Sequence, residues 1–213
     1  MKEPPLALER VSTVEALERA LRQRILDGDL APGMWLRESD IAAAYGVGRH
    51  TVRAAFQGLA YKGLAAYERN RGVSVIEPTA EVVRDIYTFR AAIEAEAVRL
   101  IIERGESLGL VRLRVEDLMA LPASASWSEL IERDLAVHEA ILATCGSPSL
   151  CKAFQTMKNQ VLLFLSSEPG HHYLVDITNT RGEHADVLAA LESGDSARAV
   201  EVVRKHLYDM IQP

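Results

Sequence analysis

The last two thirds of the chain carry a helical pattern from end to end, and this feature most constrains the fold. After Pro78 the apolar residues recur every three to four positions in six successive segments separated by glycine, proline or serine. The segments are 79–104, 107–120, 126–144, 147–166, 171–192 and 195–211. About 135 residues of this kind can bury a core of their own. The pattern therefore predicts a six-helix bundle.

The first third of the chain has a different pattern. Helical periodicity covers 13–26, 38–45 and 49–62, and the last two stretches are separated by Gly46-Val47-Gly48, a spacing that predicts a tight corner between helices. Strand-like runs at 64–67 and 72–76 flank a turn. We expect a mainly α protein with two domains, a winged helix-turn-helix at 1–77 and an all-helical bundle at 78–213.

The charge distribution separates the same two regions. The net charge is −6, yet residues 1–77 hold 11 Lys and Arg against 10 Asp and Glu, and the remainder holds 13 against 20. Between Arg49 and Arg71 there are five basic residues and one acidic residue. A basic stretch inside an acidic chain can face a polyanion. The sequence shows no apolar run long enough for a membrane span and no signal peptide, so we expect a cytoplasmic protein without membrane contact.

The start of the 49–62 helix is the candidate DNA-reading element. The second helix of a helix-turn-helix enters the major groove by its N-terminal turn. Arg49 and Arg53 are four residues apart on one face, and Thr51 can bond a phosphate or touch a thymine methyl. Arg69 and Arg71 lie at the predicted wing tip, where they can reach the minor groove or the backbone. The alternative is a solvated basic face.

Four residues of the second region form a candidate metal site. Asp134 and His138 are four apart on the apolar face of one predicted helix, and His184 and His206 lie on the apolar faces of the last two. If those two helices fold back at Ser193-Gly194, the two imidazoles can meet. One carboxylate and three imidazoles suit zinc and accept Mn, Fe, Co or Ni. The alternative, an Asp134–His138 pair with two unrelated histidines, stays open from spacing alone.

Several motif pieces in order resemble the GntR-type bacterial transcription regulators. They are Ile25-Leu26-Asp27-Gly28-Asp29-Leu30-Ala31-Pro32-Gly33, Leu36-Arg37-Glu38, Gly46-Val47-Gly48-Arg49-His50-Thr51-Val52-Arg53, Gly63-Leu64 and Arg71-Gly72-Val73. The resemblance places Arg49, His50, Thr51 and Arg53 where the family touches operator DNA, and Gly72 at the wing. This chain has Gly48 where a serine is usual and His50 where a small residue is common.

The second region resembles the FCD ligand-binding domain of the FadR subfamily. Its metal-binding members carry an Asp, a His four residues later and two further His, which match Asp134, His138, His184 and His206. Six helices rather than seven resemble the VanR-like branch. The resemblance also implies that Arg90, in Tyr87-Thr88-Phe89-Arg90, lies by the pocket of an organic-acid effector, although a salt bridge to Glu94 is the simpler reading of Arg90.

These observations favour a transcription regulator, a repressor in our reading, over an enzyme. The expected partners are double-stranded operator DNA, a small carboxylate metabolite and a second copy of the chain, because two-fold operators are bound by dimers. The alternatives are a metal-dependent hydrolase and a sensor of the metal ion itself. A hydrolase would need a general base near the metal beyond the four ligands, and it would not need a DNA reader.

Overall fold

The computed structural model describes residues 12–69, 71–167 and 177–210. The chain divides into two units, Met1–Glu77 and Pro78–Pro213. The described residues form nine helices and one three-stranded sheet, and the sheet lies entirely in the first unit. The mainly α fold with an N-terminal winged helix-turn-helix and a C-terminal six-helix bundle is confirmed.

The first unit follows the order helix, strand, helix, helix, hairpin. Its elements are α1 (Thr13–Leu26), β1 (Trp35–Leu36), α2 (Glu38–Tyr45), α3 (Arg49–Tyr61), β2 (Ala65–Glu68) and β3 (Gly72–Val75). The side chain of Ser12 caps α1 by accepting a hydrogen bond from the Glu15 N–H, and the Glu15 carboxylate accepts one from the Ser12 N–H in return.

The corner between α2 and α3 orients α3 within this unit. Gly46 ends α2 in the left-handed conformation, with φ 65°, a region that glycine enters without a steric penalty. On α3, Val52, Phe56 and Leu59 are fully buried and face the unit's core, where α3 packs against α1. The opposite face of α3 is therefore exposed, and it carries Arg49 and Arg53.

The sheet has the strand order β1-β3-β2, and all pairs are antiparallel. In the hairpin Glu68 pairs with Gly72, and Gly72 has φ 105°, which favours glycine at the end of the turn. Strand β1 was not predicted. It is two residues long, too short to show a period of its own, and it pairs Trp35 with Ser74.

The second unit consists of six helices in the described residues. They are α4 (Ala80–Arg104), α5 (Gly109–Met119), α6 (Trp127–Thr144), α7 (Pro148–Ser167), α8 (Ile177–Glu192) and α9 (Ser196–Asp209). The predicted fifth segment of the bundle began at His171, and its first six residues lie outside the described residues. Helix α4 is the longest and packs against α6, α7 and α9. Within the described ranges no helix is both long enough and apolar enough to cross a lipid bilayer.

The core of this unit is mostly apolar, but it encloses an ion pair on α4. Arg90 and Glu94 are both buried, and Arg90 Nε donates to Glu94 Oε1 over 2.6 Å. A buried charge is tolerated only with a partner, because removing water from it costs several kcal/mol. The pair therefore ties two consecutive turns of α4 into the centre of the bundle.

We expect Glu94→Ala to lower the free energy of unfolding of the second unit by about 3–5 kcal/mol, because it leaves the buried Arg90 charge without its partner. The control is Glu96→Ala on the same helix, whose carboxylate pairs with Arg99 at the surface and should cost less than about 1 kcal/mol. Urea denaturation in a Trp35→Phe background, followed by Trp127 fluorescence, measures both. Equal losses in the two variants would contradict the buried pair's role.

Candidate metal centre and nucleic-acid interface

Three helices of the second unit bring four side chains to one point. Asp134 and His138 come from α6, His184 from α8 and His206 from α9, and one ligand atom of each lies within 4.8 Å of the others. The three histidines are buried, and the Asp134 side chain is 15% exposed. Helices α8 and α9 pack against each other, so the two late histidines are neighbours, with ring centroids 4.6 Å apart.

The distances within this cluster fit a metal ion. His138 Nε2 lies 3.1 Å from His184 Nε2 and 3.3 Å from His206 Nε2. Asp134 Oδ1 lies 3.3 Å from His184 Nε2, and Asp134 Oδ2 lies 3.8 Å from His138 Nε2. Around a tetrahedral zinc with bonds of about 2.0–2.1 Å, neighbouring ligand atoms are about 3.3 Å apart. The cluster needs little adjustment to hold such an ion.

The far nitrogen of each imidazole faces an acceptor. The pairs are His138 Nδ1 with Glu94 Oε2 at 2.6 Å, His184 Nδ1 with the Thr180 carbonyl at 2.7 Å, and His206 Nδ1 with Glu183 Oε2 at 3.0 Å. A carbonyl and ionised carboxylates accept only, so each neutral ring carries its hydrogen on Nδ1. The lone pairs of three Nε2 atoms then converge beside a carboxylate, an arrangement that a cation stabilises and that is repulsive without one.

Sequence reasoning missed these three acceptors. Glu94 lies four residues after Arg90, Glu183 directly precedes His184, and Thr180 lies one helical turn before His184. The signal for Glu183 was its position beside a candidate ligand, since metal-binding histidines usually donate their second ring N–H to a carboxylate or carbonyl. Glu94 carried no local signal, because it meets His138 only across the α4–α6 packing.

The electrostatics favour the metal-binding protonation states. Burial lowers the pKa of His138 well below its ordinary value, and burial likewise lowers the pKa of His184, so both rings are neutral at pH 7. Burial alone would raise the pKa of Asp134, but attraction to the protonated forms of His184 and His138 and to the charged Arg90 outweighs this effect and lowers that pKa. The hydrogen bond from His206 lowers the pKa of Glu183. Ionised carboxylates and neutral imidazoles are the forms that bind a divalent ion.

Next to this cluster, Arg90 and Tyr87 keep hydrogen-bonding capacity unused. The Arg90–Glu94 salt bridge, the simpler reading of Arg90, is present, but it uses only the Nε edge of the guanidinium. Among the described residues, Arg90 Nη2 and the Tyr87 hydroxyl are buried without a hydrogen-bond partner. The Arg90 guanidinium lies 5.4 Å from the centre of the Tyr87 ring. Two buried donors without acceptors indicate a place for an anion or another acceptor.

At the N-terminal turn of α3 the candidate DNA-contacting residues differ in exposure. Arg49 and His50 are exposed, as is Arg53, whose Nε donates to Glu38 Oε1 over 2.8 Å. Thr51 is buried, and its hydroxyl lies 3.2 Å from His50 Nε2. The structure therefore places Thr51 behind the surface that the other three present.

A groove of about 760 Å³ in the first unit collects basic residues from three elements. Its lining includes Arg49 at the start of α3, Arg71 and Gly72 from the hairpin, and Arg37 before α2. Arg71 lies over the Trp35 ring at 5.2 Å and pairs with Glu68 at 3.3 Å. Arg37 was not among the candidates, although it stands in the Leu36-Arg37-Glu38 motif.

Arg69, at the wing, completes the candidate set. Arg69 is exposed at the hairpin turn, and Asn70 lies outside the described residues. Arg69, Arg71 and Gly72 thus come from the same turn, with Arg71 and Gly72 at the edge of the groove that Arg49 also lines. Of the predicted helix and wing residues, the structure brings Arg49, Arg71 and Gly72 together along one groove.

Comparison with known proteins agrees with this architecture. Residues 13–75 match the model of the bacterial regulatory proteins of the gntR family, and residues 85–209 match the FCD domain. The chain is 30% identical to the uncharacterised HTH-type transcriptional regulator BphR of Paraburkholderia xenovorans (strain LB400), over 97% of this chain and 86% of that protein. It is also 30% identical to the HTH-type transcriptional repressor GlaR of Escherichia coli (strain K12), over 92% of this chain and 93% of that protein.

A solved structure supports the same assignment. A GntR transcriptional regulator from Rhodococcus sp. RHA1 superposes with a TM-score of 0.75 and 28% identity, covering 93% of this chain and 95% of that one. Both units of the chain thus have counterparts in proteins that regulate transcription. The chain belongs to the GntR family of bacterial regulatory proteins, and it is a DNA-binding transcription regulator with an FCD ligand-binding domain.

Proposed function

We propose that this protein is a metabolite-responsive repressor whose operator affinity is controlled by a small carboxylate bound at a divalent metal in the second unit. The metal ligands are Asp134, His138, His184 and His206, and zinc suits this donor set best. The observation that carries the proposal is the convergence of four ligand atoms next to two buried donors, Arg90 Nη2 and the Tyr87 hydroxyl, for which the described residues supply no acceptor.

Arg90 and Tyr87 select the chemical class of the effector. A guanidinium with one edge held by Glu94 still presents a donor edge that forks onto a carboxylate. Burial raises the pKa of Tyr87 to about 12, so its hydroxyl stays protonated and donates. A bound divalent metal would supply a positive site for one carboxylate oxygen, and Arg90 and Tyr87 would hold the rest of the group.

Glu94 links the effector site to the framework of the bundle. One of its oxygens accepts from Arg90 on α4, and the other accepts from His138 on α6. An anion that draws Arg90 away from Glu94 would alter the hydrogen bonds that join Arg90, Glu94 and His138. The packing of α4 on α6 would change with them. Such differential binding to two packings is what an effector needs in order to shift a regulator between two states.

In the part of the chain that the structure describes, the hydrolase alternative finds no carboxylate beside the metal ligands that is free to act as a general base. The two carboxylates next to the metal ligands, Glu94 and Glu183, each accept a hydrogen bond from a ligand histidine. Both are therefore occupied in orienting the rings. A sensor of the metal ion itself would use the same four ligands, and it is distinguished by experiment below.

Loaded with zinc and dialysed, the protein should retain about one ion per chain by elemental analysis. His184→Ala should lose this ion because it removes one of the four ligands, whereas His50→Ala, which removes an exposed histidine of the first unit, should keep it. A wild-type protein free of metal after loading would refute the site. If zinc alone changed operator affinity with no organic acid present, the protein would be a metal sensor.

Tyr87→Phe should weaken effector binding without destabilising the effector-free protein, because the hydroxyl it removes has no partner there. A panel of small organic acids is screened for a rise in the unfolding temperature, which follows ligand binding by mass action. The acids that stabilise the wild type should give a smaller shift with Tyr87→Phe and an unchanged shift with Tyr208→Phe, the exposed tyrosine of α9. Equal shifts in both variants would remove Tyr87 from the site.

Arg49→Ala should weaken binding to operator DNA by about 1–3 kcal/mol and, if the contact is to a phosphate, reduce the salt slope by about 1. The control is Arg198→Ala, which removes an equal charge from the exposed face of α9. Fluorescence anisotropy with DNA selected from a random duplex pool measures both. Light scattering on the same complex should give two chains per duplex. Identical affinities for Arg49→Ala and wild type, or one chain per duplex, would contradict the proposed mode of binding.

A further inference from the structure

The backbone conformation at position 48 does not require a glycine. It is the N-cap of α3, with φ −72° and ψ 149°, values that any residue adopts. Serine, threonine, aspartate and asparagine are preferred at this position, because their side chains accept a hydrogen bond from the first turn. Here α3 has no side-chain cap. The reason for glycine must therefore be sought in what surrounds it.

The ring of His50 fills the space in which a side chain at position 48 would lie. A Cβ atom added to Gly48 would be 2.7 Å from His50 Cε1 and 2.8 Å from His50 Nδ1, well inside van der Waals contact. On its other side, His50 Nε2 lies 3.2 Å from the hydroxyl of Thr51, which is buried. The His50 ring thus lies between the backbone of Gly48, which carries no side chain, and the buried hydroxyl of Thr51.

We propose that Gly48 and His50 act as one unit in sequence recognition, in which Gly48 positions the ring and His50 determines part of the operator preference. The inference rests on the proposed docking of the α3 N-terminal turn on DNA. Residues of that turn reach base edges in the major groove. A ring held in one orientation presents one fixed set of polar and C–H groups to a base pair, whereas a displaced ring presents another.

Four proteins test this coupling: the wild type, Gly48→Ala, His50→Ala and the double variant. Gly48→Ala adds only a Cβ atom, in a permitted conformation, so its main effect is to displace the ring. Each protein selects duplexes from a random pool, and sequencing gives the base preference at every position. Gly48→Ala and His50→Ala should each reduce the preference at a shared position by roughly tenfold, about the discrimination of a single base pair.

The double variant carries the decisive comparison. It should have the same base preferences as His50→Ala, because without the ring the added Cβ meets nothing. The inference is overturned if Gly48→Ala selects the wild-type sequences. It is also overturned if Gly48→Ala changes the preferences equally with and without His50. In the wild type, an NMR contact between the His50 ring and the Gly48 Hα atoms should be present, and it should be lost in Gly48→Ala.

Arg49→Ala, tested on the same pool, separates this inference from the proposed function. If Arg49→Ala binds all duplexes more weakly and His50→Ala keeps the wild-type base preferences, the proposed docking of this turn on DNA stands. Only the proposed coupling of Gly48 and His50 is then refuted. If Arg49→Ala binds DNA with wild-type affinity, the proposed docking of this turn is refuted, and so is the inference that rests on it. Circular dichroism checks that every variant is folded.

Discussion

The second unit depends on a single electrostatic requirement, the need to bring three imidazole lone pairs and a carboxylate to one buried point. The rings of His138 and His184 are neutral because burial disfavours their charged forms, and each of the three rings is oriented by an acceptor on its outer nitrogen. Helices α4, α6, α8 and α9 all contribute a ligand or an acceptor. The positions of four helices are therefore constrained together by one small polar cluster inside a mostly apolar core.

The same requirement explains why α4 carries a complete buried ion pair. The side chain of Glu94 accepts from His138, and a buried carboxylate needs a positive partner, which Arg90 supplies. Among the residues that the structure describes, Arg90 Nη2 and the Tyr87 hydroxyl have no hydrogen-bond partner. Orienting the His138 ring and leaving two buried donors without acceptors in the described structure are thus two consequences of one arrangement on a single helix.

Much of this could be predicted from the sequence, because the helices are long and periodic and the helix-turn-helix corner has glycines at its bend. The same periodicity predicted the inward faces that carry Asp134, His138, His184 and His206. The sequence did not predict β1, because a strand of two residues is too short to show an alternating pattern of apolar residues. It also did not predict contacts that form only when helices pack, such as the one between Glu94 and His138. The burial of Thr51 was also missed, since a threonine at the start of a helix is usually exposed and only the approach of the neighbouring His50 ring shows otherwise.

The three acceptors around the histidines are not equally open to change. Glu94 and Glu183 act through their side chains, so one codon change can remove either of them. The acceptor for His184 is the Thr180 main-chain carbonyl, and every amino acid at position 180 that keeps the helix intact supplies the same oxygen. The backbone of α8 therefore sets the orientation of the His184 ring, whichever side chain stands at position 180. Among related sequences, the orientation of the His184 ring should therefore be preserved most often, and substitutions should appear first at Glu94 and Glu183.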